Sequence, residues 1–114
     1  MAGRVVDEEM IEAAVRVLLS EKQDIKSLVR FLVTNWPAVP ALQIIHVLAM
    51  AAGSVEHMLA DADAAHSALD AWRMAGLVGV DLRMMQAMGL PYETAADLWA
   101  YWLVHDRFFL EDDA

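Results

Sequence analysis

The side chains able to do chemistry are few and scattered. The chain has four histidines and no cysteine. Two His-x-x-x-Asp pairs occur, His57 with Asp61 and His66 with Asp70. Residues four apart share a helix face, so each pair offers two candidate metal ligands. Nine residues separate the two histidines, which places them about 180° apart around one helix axis. A single helix therefore cannot join the pairs into one site, and they read as solvated contacts, with metal binding as the alternative. His46 stands on an otherwise apolar helix. It suggests a core histidine bonded to a carbonyl, or a buried acid/base group. His105-Asp106 reads as a solvated helix end. Ser20 and Ser54 fall at capping positions, and no serine sits in a nucleophile elbow. There is no phosphate loop and no dinucleotide fingerprint. No cofactor is expected, and no motif supports catalysis.

Lys22, Lys26 and Arg30 form an i, i+4, i+8 row. It is either a solvated ridge that pairs with Glu8 or Glu12, or a docking ridge for an acidic partner or phosphate. The formal net charge is -9. No Lys or Arg lies between Arg30 and Arg73, while Glu56, Asp61, Asp63 and Asp70 fall inside that gap. Such a balance argues against nucleic acid or an anionic membrane as the main ligand, since both require cations from the protein. Residues 81–104 nevertheless fit the spacing of a helix-turn-helix. Met85 precedes Gly89 at the turn, and Leu90, Ala95 and Leu98 follow it. The second helix would show Glu93, Thr94, Asp97, Trp99 and Tyr101, and Arg83 is the one basic residue between Asp81 and Val104. The geometry suits a helix-turn-helix and the charge does not suit a DNA reader.

Helical periodicity that could position these groups runs through the whole chain. Asp7 is the expected N-cap of a first helix with the stripe Met10, Ile11, Ala14, Val15, Leu18 and Leu19. Ser20 to Gln23 has the capping-box pattern, with Asp24 as an alternative cap. A second helix carries Ile25, Leu28, Val29, Leu32, Val33 and Trp36 and must stop near Asn35, before Pro37. A third is expected from Pro40 to Ala52, apolar on nearly all sides and so surrounded by protein. Gly53 would end it, and Ser54 would start a fourth helix reaching Ala75. That helix has the stripe Val55, Met58, Leu59, Ala62, Ala65, Leu69 and Trp72. Gly76 to Gly79 reads as a turn. A short fifth helix follows Asp81, with Leu82, Met85 and Met88 inward, and a last helix starts at Leu90-Pro91.

The expected fold is an all-α, five- to six-helix orthogonal or irregular bundle forming one domain over residues 1–114. Apolar residues make up 59% of the chain, above the usual share of about 45–50%. Either the core is unusually full or a partner covers part of the surface. The eight methionines recur inside the stripes as gap fillers. The last helix cannot place all its large residues on one face. Trp99, Tyr101, Trp102, Phe108 and Phe109 are therefore the expected interface of a homodimer, or of a complex with another protein. No stretch suits a membrane span. The N-terminal run turns acidic at once, unlike a signal or transit peptide. With cysteine absent, a cytoplasmic location is the default expectation. The leading functional reading is a small interaction or regulatory protein that self-associates. The alternatives are a transcription regulator with a degenerate helix-turn-helix, and a helical domain binding a metal or small ligand.

Overall fold

A computed structural model describes residues 2–20, 24–58 and 62–111. Among them are five α-helices and a closing 3-10 turn: α1 (Ala2–Leu18), α2 (Ile25–Asn35), α3 (Ala41–Met58), α4 (Ala62–Ala87), α5 (Ala95–Val104) and η1 (Phe108–Leu110). The all-α bundle is as the periodicity predicts, and none of the described residues forms a strand. The overall extents are 42 × 40 × 20 Å. Since a helix with its side chains is about 10–12 Å across, the short dimension holds two layers. Each helix therefore keeps an outer face.

Local chemistry sets several of the boundaries. The Asp24 side chain caps α2, accepting from the Lys26 amide at 3.0 Å. Thr94 caps α5 in a full capping box with Asp97. The segments before α3 and α5 also clasp each other. The Ala41 amide donates to the Glu93 carbonyl at 2.8 Å, the Ala95 amide to Val39 at 2.8 Å, and the Ala96 amide to Pro37 at 2.9 Å. Each segment thus satisfies amides at the other helix's N-terminus, which have no acceptor within their own helix. At the end of α4, Gly89 adopts φ +72°. The Gly89 amide bonds to the Gln86 carbonyl at 3.1 Å and the Leu90 amide to Met85 at 3.0 Å. This is the Schellman closure that a glycine at that position allows.

Other expected boundaries are corrected. Asp7 is not a cap: α1 begins at Ala2, and Asp7 accepts a hydrogen bond from the Gln43 side chain of α3. The extra turn brings Val6 against the core. Ser20 does not cap α2, whose N-cap is the alternative, Asp24; residues 21–23 of the capping-box pattern lie outside the described residues. Gly53 does not end α3, and residues 76–79 are not a turn but the middle of α4. Glycine costs a helix roughly 1 kcal/mol per position, and the packing of α3 on α4 outweighs it. The last helix begins at Ala95, not at Leu90-Pro91, because the capping box fixes its start.

The same pairing explains where the large side chains go. The inward faces of the α3–α4 pair are built from small residues: Ala51, Ala52 and Val55 on α3, and Ala68, Ala71 and Ala75 on α4, all buried. Alanines let two helix axes approach closely. The bulkier residues then face outward, so Leu69, Trp72 and Met88, expected inside, are exposed. α3 is not surrounded by protein either. Leu42 and Met50 are 65% and 47% exposed, as two layers require.

Candidate functional site

Two regions stand out once the fold is in place, the outer face of α4 and the junction of α4, α5 and η1.

Along α4 and at Met88 just after its end, Leu69, Leu77, Val80, Met84 and Met88 are all exposed. Their spacings of eight, three, four and four residues put them on one side of the helix. The line runs about 28 Å. Gly76 and Ala87 lie on the same side; Arg73, four residues from both Leu69 and Leu77, sits within the line, and Arg83 flanks it, all exposed. Arg73 is 3.9 Å from the Asp70 carboxylate. The α3 edge adjoins this face. The Trp72 indole donates to Glu56 at 2.8 Å, and Ile45 reaches the Gly79 backbone. Sequence reasoning missed this line because a turn placed at Gly76–Gly79 cut it in two. Its signal was present in the unbroken spacing from Leu77 to Met88.

The second region collects the aromatic residues expected at an interface. Trp102 and Phe109 are fully buried in the chain's own core, their rings 4.6 Å apart. Tyr101 is buried and stacks on His105, and Trp99 is half-buried against the core. Phe108 is 40% exposed. The five residues therefore do not form one open patch, because α5 packs inward and η1 folds back over it. Asp81 sits among them at 6% exposure and accepts from the Trp102 indole at 2.9 Å. Burial first, then a hydrogen bond from Asp106, raise the Asp81 carboxyl to about 7, against the opposing effect of Trp102. Burial and the negative charges of Asp81 and Asp106 push the Tyr101 phenol upward as well.

The remaining candidates resolve individually. Lys22 and Asp61 lie outside the described residues. Lys26 is buried, with its ammonium 4.0 Å from the centre of the Phe108 ring. Arg30 donates to the Phe109 carbonyl at 2.7 Å and lies 3.9 Å from Asp24. Lys26 and Arg30, the described part of the row, thus contact η1. His66 and Asp70 are 3.6 Å apart on the surface of α4. His57 belongs to α3, so the two His-x-x-x-Asp pairs are not on one helix. No three potential ligands cluster as a metal site among the described residues. His46 is exposed rather than in the core. The connection from α4 to α5 spans residues 88–94, longer than the three- or four-residue turn of a helix-turn-helix. A surface depression of about 170 Å³ lies between Leu90, Pro91, Asp97, Tyr101, Val104 and His105, below the usual range of about 300–1,000 Å³ for ligand pockets. No described helix is long and apolar enough to cross a membrane.

Comparison with known protein families, with curated proteins and with solved structures finds no match.

Proposed function

We propose that the chain is a protein-interaction module that self-associates through the outer face of α4 and the adjoining edge of α3. The observation that carries this reading is the exposed apolar line Leu77, Val80, Met84 and Met88, continued beyond Arg73 by Leu69. Scattered exposed apolar residues need no explanation, whereas a contiguous apolar strip of helical length does. Burying it removes unfavourable contact with water, at roughly 25 cal/mol per Å². Gly76 allows close approach of a second helix backbone. Arg83, at the rim, has no ion pair among the described residues, and a second copy of so acidic a chain can supply the counter-charge. Methionines at positions 84 and 88 adapt to an imperfectly matched surface.

Sedimentation velocity across micromolar to sub-millimolar concentrations tests the reading. The expected result is a reversible monomer–dimer equilibrium, shifted to monomer by Val80→Glu with Met84→Glu. A wild-type chain that stays monomeric over the whole range overturns it, as does a double variant that dimerises unchanged.

A further inference from the structure

One edge of the α4 strip carries a pattern of its own. Trp72, Gly76, Gly79 and Arg83 are spaced four, three and four residues apart, so they stack along one edge over about 16 Å. This is the edge that adjoins α3: the Trp72 indole donates to Glu56 at 2.8 Å, and Ile45 packs at Gly79. Glu56 and Arg83 are both exposed, at opposite ends of the edge. Trp72 occupies one oxygen of the Glu56 carboxylate, which has further acceptor capacity. Arg83 has no ion pair among the described residues. Between them, no described atom comes within 4 Å of a Cβ added at Gly76. The fold of one chain therefore gives Gly76 no steric reason to be glycine, a costly residue inside a helix.

The two ways of pairing a helix with its copy about a two-fold axis treat this edge differently. In parallel pairing, equal residue numbers stand level and each edge faces the other copy's opposite edge. Arg73 then meets Arg73 of the second copy. Arg83 faces the edge that carries Asp81, which is buried and committed to the Trp102 indole. In antiparallel pairing, each edge faces its own counterpart in reverse order. The spacing of the edge reads the same in both directions, so Arg83 comes level with Trp72 and Glu56 of the second copy, and Gly76 with Gly79. The strip Leu69, Arg73, Leu77, Val80, Met84 and Met88 is likewise symmetric in spacing. Its midpoint lies one residue, about 1.5 Å, from that of the edge. One antiparallel register therefore serves both. Arg73 stands in the strip, but Asp70, 3.9 Å away, draws it toward the edge remote from α3.

Given self-association through α4, on which this rests, we propose that two copies pair α4 antiparallel about a two-fold axis level with Val78, with Arg83 of each copy in an ion pair with Glu56 of the other across the facing glycines Gly76 and Gly79.

The chain contains no cysteine, so disulfide cross-linking reads the orientation directly. Leu69→Cys and Met88→Cys each replace an exposed side chain at one end of the strip. The two single variants are mixed under mild oxidation, at a concentration where sedimentation velocity shows dimer. Antiparallel pairing makes the mixed disulfide the dominant product. Arg83→Glu should raise the dimer dissociation constant about tenfold, because it turns attraction into repulsion at two symmetric places. Glu56→Gln still accepts from Trp72 and should weaken the dimer less. Arg83→Glu combined with Glu56→Lys should regain the affinity that Arg83→Glu loses. Gly76→Leu should keep the helical circular dichroism of the monomer and block the dimer. Homodisulfides in place of the mixed one overturn the proposal, as does a charge reversal that regains nothing or a Gly76→Leu chain that dimerises unchanged. A dimer that lacks the mixed disulfide overturns the antiparallel pairing alone. A wild-type chain that sediments as a monomer throughout overturns self-association and the pairing together.

Discussion

Asp81 illustrates how one buried carboxyl can make stability depend on pH in the direction opposite to most acids. An acid in a favourable ion pair has a lowered pKa, and its contribution is lost on acidification. Asp81 is raised from 3.8 to about 7, so the folded state holds its proton more tightly than the unfolded chain. Between those values the folded chain binds more protons, and stability falls as pH rises. The contribution is fully present below about pH 4 and gone above about pH 7. Urea unfolding should show a loss on the order of a few kcal/mol across that interval. Asp81→Asn should flatten the profile. Trp102→Phe isolates the other bond to the same group. It keeps an aromatic ring in the core but leaves Asp81 without its indole donor, at a cost of about 1–3 kcal/mol. Since that donor opposes the upward shift, the Trp102→Phe pH midpoint should also move higher.

At the scale of the element, the glycines separate two roles that the sequence makes look alike. Gly53 lies inside α3, and nothing within 4 Å would meet an added Cβ. Gly53→Ala should raise stability by roughly 0.5–1 kcal/mol in thermal unfolding. Gly89 has equally open surroundings but a φ of +72°. Gly89→Ala should lower stability by about 1 kcal/mol, because an L-residue is strained there. The contrast shows why part of the fold was legible and part was not. The end of α2 could be read to the residue, because Pro37 is a local signal that packing does not override, whereas its start fell at Asp24, the alternative to the Ser20 box. The Gly53 and Gly76–Gly79 boundaries could not be read, because a glycine marks a helix end only where no tertiary contact continues the helix. The start of α5 was missed for a local reason: the proline at 91 drew attention from the Thr94–Asp97 box. The outward strip on α4 followed the same logic. Large apolar residues are ordinarily assigned inward, and only the close α3–α4 packing reveals that alanines took those places. Asp81 and Asp106 are 25 residues apart, so nothing in their spacing could show that they meet.

At the scale of the whole molecule, the surplus of apolar residues is a consequence of shape. A body 20 Å thick has no third layer in which to enclose a helix, so a chain this apolar leaves part of its helix surface facing water. The outer face of α4 is where that surplus is aligned rather than dispersed, and alignment is what makes association effective. If two copies bury this face, dimerisation is linked to folding by mass action, and the apparent melting temperature must rise with protein concentration. The rise over a hundred-fold range of concentration should stay below about 10–20 °C, because each tenfold change is worth at most about 1.4 kcal/mol and a domain of this size shifts by about 4–8 °C per kcal/mol; it is smaller when the dimer is only partly populated. Val80→Glu with Met84→Glu replaces two exposed apolar side chains without touching a buried one. The folded monomer should therefore keep its helical circular dichroism and lose only the concentration dependence. A double variant that unfolded outright would instead place Val80 and Met84 among the residues holding the monomer together. Differential scanning calorimetry of both chains over the same concentration series distinguishes a surface that a partner covers from one that the fold leaves to water.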